Sequence, residues 1–220
     1  VLIGDSITEA WLGTSLALPA KRALGVPEVL HKQFVTGQNP YSPLILAVGG
    51  DQTQHLLWRL QNGNLPEKLA SNSNATYVML IGTNNIGKGH LPGPSTDGIF
   101  TLIDYLLDRT KGRLLVVKLL PRDDIFRVQK LCPPRCKKSG EPFESFMPAI
   151  DQINTKLQTE FETNQKYSSK ERLRLLDCGS LFLDSAGKLL ADTLMPDNLH
   201  PNAVGHQKFA DCIQQKLQSW

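Results

Sequence analysis

What this sequence lacks narrows it before any motif is read. No apolar run approaches the roughly 20 residues that cross a bilayer, since the longest strongly apolar stretches are 42–48 and 77–81. A transmembrane helix is therefore not expected. Charge of one sign does not dominate either: 24 Lys plus Arg stand against 21 Asp plus Glu, a net of +3, which is too little to mark a polyanion partner. Nucleic acid is not an expected ligand. Cysteine is scarce, at 4 in 220 residues, so a disulfide-built mini-scaffold is excluded. There is no internal repeat and no low-complexity tract, and the balance of 40% hydrophobic to 20% charged residues removes disordered, collagenous and coiled-coil readings. No initiator Met and no signal-peptide architecture precede Val1-Leu2-Ile3. That opening points to upstream residues having been removed, and it leaves the compartment open between cytoplasmic and secreted.

The cysteines do not make a zinc site, because no second Cys or His pair follows Cys132 and Cys136 at a metal spacing. Cys178 and Cys212 read as two buried thiols. Cys132 and Cys136 read either as a loop thiol pair or as a local disulfide of a secreted enzyme. The sequon Asn74-Ala75-Thr76 is expected by chance in a chain this rich in Asn.

What is present is alternation. Apolar blocks of strand length at 1–4, 44–48, 76–81, 113–119 and 173–176 are separated by stretches of helical period at 26–34, 53–60, 96–109, 146–162 and 203–218. This is the pattern of stacked βα units, so the expected fold is α/β: a three-layer α/β/α sandwich with a five-stranded parallel sheet, flavodoxin-like, in one domain over 1–220. In 203–218, Val204, Phe209, Ile213 and Leu217 recur at helical spacing and are expected to face the sheet. Residues 123–145 carry Pro, Gly, Lys and the Cys-Pro-Pro-Arg-Cys stretch without a period, and read as a surface excursion.

In open parallel sheets ligands bind beyond the carboxyl ends of the strands. There the sequence places Gly4-Asp5-Ser6, Gly49-Gly50-Asp51 and Gly82-Thr83-Asn84-Asn85, with Asp197-Asn198-Leu199-His200-Pro201 just before the last helix. Each signal alone is ordinary, since Ser caps helices, paired Gly makes turns, and Asn and Asp serve both. Their joint occurrence at successive strand ends is not. A serine hydroxyl needs a base and a group that orients the base, and Ser6, His200 and Asp197 supply those types in that order of action. Asp5 and Asp51 are expected to order the turns that hold Ser6 and Gly50. His55 has a minor claim on the substrate, Trp58 and Arg59 read as structural or interfacial, and His206 reads as exposed or capping.

The residue order Ser, Gly, Asn, Asp, His resembles the SGNH subgroup of the GDSL hydrolases. Within that family, 48–60, 81–85 and 119–122 are similar to the catalytic subunits of type I platelet-activating factor acetylhydrolases, and the likeness extends over nearly the whole length. The resemblance implies an SGNH hydrolase fold, no cofactor and no metal. It also implies an oxyanion hole made by the backbone N–H of Ser6, the backbone N–H of Gly50 and the side-chain amide of Asn84. The expected function is a serine esterase cleaving short-acyl (acetyl) esters of a lipid through an acyl-enzyme. Alternatives are an acetyl esterase acting on carbohydrate and a non-catalytic binding module that keeps the fold. A metal-dependent hydrolase using Asp5, Asp51, Asp197 and His200 and a nucleotide binder are more distant rivals; the latter lacks the usual phosphate-cradling glycine loop. The expected partner is a small-molecule ester, with a homodimer left open.

Overall fold

The protein is described by a computed structural model covering residues 1–36 and 40–220. Five short strands, β1 (Leu2–Gly4), β2 (Ile45–Ala47), β3 (Thr76–Leu80), β4 (Arg113–Val117) and β5 (Leu173–Leu176), form one parallel sheet in the order β2-β1-β3-β4-β5. The central strands are apolar throughout rather than alternating: Leu114, Leu115, Val116 and Val117 are all buried. That is the mark of a sheet covered on both faces. Helices Thr53–Arg59, Pro92–Arg109 and Met147–Thr163 pack on one another, and helices Val26–Leu30 and Ala203–Gln218 pack together as a second group. The expected α/β architecture is thus present, with all five strands where the alternation puts them.

The strand order reverses between β1 and β3, because β2 lies on one side of β1 and the rest of the sheet on the other. Such a switch point opens a crevice at the carboxyl ends of the two strands. Gly4 closes β1 there. A Cβ on it would lie 2.3 Å from Thr8 Oγ1 and 2.4 Å from the Leu80 carbonyl oxygen, so only glycine lets β1 turn into the next helix against β3.

Three expectations are corrected. Val204 is 57% exposed, and the buried stripe of the last helix is Gly205, His206, Phe209, Ala210 and Ile213. His206 is fully buried rather than exposed or capping: its ring lies 3.1 Å from the Ile7 carbonyl oxygen and packs edge-on to Trp11. Cys178 and Cys212 are not separate thiols but a disulfide, with Cα atoms 6.2 Å apart, which joins the turn after β5 to the last helix. Cys132 and Cys136 are bonded as well, across a loop whose Cα atoms are 4.8 Å apart. The 123–145 segment contains a short helix, Ile125–Gln129, and is attached to the body by Arg127 and Arg135, whose Nε atoms donate to the carbonyls of Gly87 and Gly89. Among the described residues no helix is long and apolar enough to cross a membrane.

Candidate active site

Ser6 is the first residue of the helix Ser6–Glu9, which follows β1 after a single residue. Asp5 caps that helix by accepting the N–H of Ile7 at 3.0 Å. The cap is completely buried, and burial pushes the Asp5 carboxyl up to about 7, with the backbone bond to Ile7 only partly opposing it. The serine itself is 6% exposed. Its Oγ lies 2.8 Å from His200 Nε2, across 194 residues of sequence. On the other edge of the imidazole, Nδ1 lies 2.7 Å from Asp197 Oδ2. Asp197 Oδ1 accepts the backbone N–H of His200 at 2.7 Å and of Leu199 at 3.1 Å. Burial works to raise this carboxyl, but the bonds from the His200 side chain, His200 N–H and Leu199 N–H bring it down to about 2. A carboxylate that stays charged fixes the imidazole with its proton on Nδ1 and leaves Nε2 free to accept from a hydroxyl.

The other predicted groups follow the carboxyl ends of β2 and β3, the two strands beside β1. Gly50 has φ +84°, the left-handed region that favours glycine, and a Cβ there would have no atom within 4 Å. The space where a side chain would stand is open. Asn84 Nδ2 donates to the Asp51 carbonyl at 3.0 Å, and since an amide carries two donors, one remains. As the first residue of its helix, Ser6 has an N–H with no acceptor inside the helix. Asp51 bridges to Arg59 through Oδ2, at 2.8 Å from Nε and 2.5 Å from Nη2, so Asp51 and Arg59 brace the glycine turn. Trp58, on the same helix, is 64% exposed, and the His55 imidazole accepts the Gln52 N–H at 3.2 Å.

Two structural groups were missed by the sequence reading. Glu9 is buried and gathers four donors: Thr14 Oγ1 at 2.9 Å, Leu16 N–H at 3.0 Å, Ala17 N–H at 2.8 Å and Gly49 N–H at 2.6 Å. Burial opposes its charge, yet the donors hold its carboxyl below the usual range. One carboxylate therefore ties the helix of Ser6 to the residue before Gly50 and to the hairpin Thr14–Ser15/Leu18–Pro19. The other is Asn85, which accepts the Thr53 N–H at 3.0 Å and donates to Thr53 Oγ1 at 3.1 Å. Its signal, an Asn beside Asn84, was visible but read as a turn. Asp5, Asp51, Asp197 and His200 do not assemble as a metal centre; among the described residues no three His, Cys, Asp or Glu side chains gather for one.

The fold defines a class, the GDSL-type hydrolases, built on a parallel sheet sandwiched between helices. The chain belongs to the GDSL-like Lipase/Acylhydrolase family, whose profile matches residues 2–208. It is 39% identical over 85 residues to platelet-activating factor acetylhydrolase IB subunit alpha1 of Homo sapiens, a match covering 38% of this chain and 34% of the relative. The alpha2 subunit of the same species is 31% identical over 99 residues, 43% of this chain and 41% of the relative. The similarity thus spans about a third to two-fifths of these relatives' length, not nearly the whole chain as the motifs suggested. In fold, the chain is similar to a GDSL-like lipase from Bacteroides thetaiotaomicron, with a TM-score of 0.66 at 14% identity over 99% of this chain and 86% of the other. An acetylxylan esterase from Geobacillus stearothermophilus gives a TM-score of 0.63 at 15% identity over 98% and 92%.

Proposed function

We propose that this chain is a serine esterase that removes short acyl groups, acetyl first, from the alcohol of a lipid ester. The observation that carries the reading is the unbroken hydrogen-bonded line Ser6 Oγ, His200, Asp197, with both links at 2.8 Å or less. In the mechanism, His200 Nε2 takes the Ser6 proton as Oγ attacks the ester carbonyl. Asp197 holds the resulting imidazolium through Nδ1–H. The carbonyl oxygen becomes an alkoxide, met by the N–H groups of Ser6 and Gly50 and by the free N–H of the Asn84 amide. As the tetrahedral species collapses, the C–O bond to the alcohol breaks and His200 returns the proton to the leaving oxygen. Water then repeats the sequence on the acyl-enzyme, releasing the acid and restoring Ser6.

Two things support an acetyl ester of a lipid: the name borne by the matched relatives and the lack of a long apolar lid in the sequence. The fold neighbour named an acetylxylan esterase favours acetylated carbohydrate as the second reading. A single domain over 1–220 and a homodimer complete the proposal; light scattering on the purified chain tests the assembly. The function is tested by treating the protein with an organophosphate ester and mapping the adduct, and by assaying Ser6→Ala on p-nitrophenyl acetate. We expect one adduct, at Ser6, and a loss of turnover of roughly 10⁴-fold or more in the variant. Survival of activity in Ser6→Ala would sink the mechanism. Parallel rates on an acetylated ether phospholipid and an acetylated xylo-oligosaccharide separate the two substrates.

A further inference from the structure

The 123–145 segment does more than cover the surface. Between it and the helices Pro92–Arg109 and Met147–Thr163 lies a cavity of about 290 Å³. Its walls are apolar, with Ile86, Val128, Leu131, Phe143 and Phe146 among them. The volume is about twice the roughly 150 Å³ that takes a benzene ring, which gives room for a chain of roughly ten carbons. At its edge stands Arg135, an exposed residue. The Arg135 Nε donates to the Gly89 carbonyl at 2.8 Å; a neutral carbonyl orients the guanidinium without cancelling its charge. The 123–145 segment around it carries Arg127, Lys130, Arg135, Lys137 and Lys138 against Asp123, Asp124, Glu141 and Glu144, a slight excess of positive charge. Only Lys137 among them pairs with a carboxylate, that of Glu144. An apolar pocket with an unneutralised cation at its rim fits a molecule with an aliphatic tail and an anionic head.

We propose that this cavity binds a single-chain alkyl carboxylate, with the tail among Val128, Leu131 and Phe146 and the head on Arg135. It is a binding site separate from Ser6, although its wall reaches the crevice: His90, which also lines it, lies 3.3 Å from Gln52 Nε2. The inference does not rest on the esterase reading.

The test is calorimetric titration of dodecanoate, below its micelle concentration, into the protein before and after treatment with the organophosphate. Saturable binding at one site per chain is expected. Ala149→Trp, which fills the cavity from the Met147–Thr163 helix, should weaken it at least tenfold. Arg135→Glu should weaken it about as much, with an unchanged thermal midpoint showing that loss of the bond to the Gly89 carbonyl has not displaced the segment, whereas Arg135→Lys should retain most of it. Both weakened variants should hydrolyse p-nitrophenyl acetate at the wild-type rate. Dodecylphosphocholine, which has the same tail and no net charge, should bind less tightly than dodecanoate. The proposal is overturned by absence of saturable binding, by loss of binding once Ser6 is blocked, by indifference to both Ala149→Trp and Arg135→Glu, or by tighter binding of the zwitterion. If p-nitrophenyl acetate is not cleaved at all while dodecanoate still binds, the esterase reading fails and this one stands.

Discussion

Ser6 sits in a wall of long-range contacts, whereas Asp197 and His200 satisfy one another within four residues. On the serine side, Glu9 reaches Gly49 across 40 positions and Asn85 reaches Thr53 across 32. Asp51 and Arg59 lock the turn between them, and nearly all of these groups are buried. On the base side, the Asp197 side chain is 47% exposed and bonds only to its own turn. The difference teaches that the two halves of one site are held by different means. The half proposed as the oxyanion hole is held because distant segments must agree on its position, and the half proposed to carry the base is oriented because a short turn closes on itself.

Substitutions on the two sides should therefore separate activity from stability. Asp197→Asn should cut kcat by about 10³- to 10⁴-fold, through the wrong imidazole tautomer, while the thermal midpoint stays close to wild type. A large fall in the midpoint would erase the contrast. Asn84→Ala, on the braced side, should lower kcat for small esters by about 10²- to 10³-fold, the cost of one oxyanion donor; near-native turnover would remove Asn84 from the site. Glu9→Gln should show the opposite balance to Asp197→Asn. It presents an N–H₂ to donors that need an acceptor, so we expect a stability loss of roughly 3 kcal/mol in urea denaturation and a smaller, about tenfold, fall in kcat as Gly49 loosens beside Gly50. A Glu9→Gln protein of unchanged stability would show that the brace is not rigidifying.

Asp5→Asn should have an effect that depends on pH and vanishes in acid. Asp5 titrates near 7 when folded against about 3.8 in the unfolded chain. The native state thus binds the extra proton between those values, and stability falls as pH rises through that window. Above pH 7 the wild type carries a buried charge that Asn, which keeps the acceptor for the Ile7 N–H, does not. Denaturation at pH 8 should find the variant more stable by a few kcal/mol, and denaturation at pH 4 should find the two nearly equal. Equal stability at both pH values would show that the buried carboxyl titrates normally.

Much of this was legible in the chain. Strand ends betray themselves through apolar blocks that stop at glycine, so β1 to β5, Ser6, Gly50 and Asn84 could be named together. The Asp197 to His200 turn is local and needs no third dimension to be read. What was illegible depends on which distant pieces meet. Glu9 looks like an ordinary residue of a first helical turn until a hairpin folds over it. The Cys178 and Cys212 pairing spans 34 positions, and no spacing rule links a strand-end cysteine to one in a helix. The spacing of His206 from His200 points to an exposed or capping residue; its burial instead goes with the Ile7 carbonyl opposite. Arg122 is 1% exposed, yet it donates to the Thr83 carbonyl at 2.8 Å and lies over the Phe146 ring. Nothing in Pro121-Arg122 announces a buried cation.

The Cys178 to Cys212 bond has a bearing on the exposed turn. Both Asp197 and His200 lie inside the ring that it closes, so the proposed general base travels on a covalent tether anchored near the end of β5 and to the last helix. Chain-entropy reasoning gives a closure of this size roughly 4 kcal/mol of denatured-state restriction. The turn, otherwise held by the Asp123 N–H on the Asn198 carbonyl and by the buried Leu194 and Met195 beside it, can then keep its address beside the serine, and a thiol reductant becomes a handle that slackens one half of the proposed site while leaving the other half gripped.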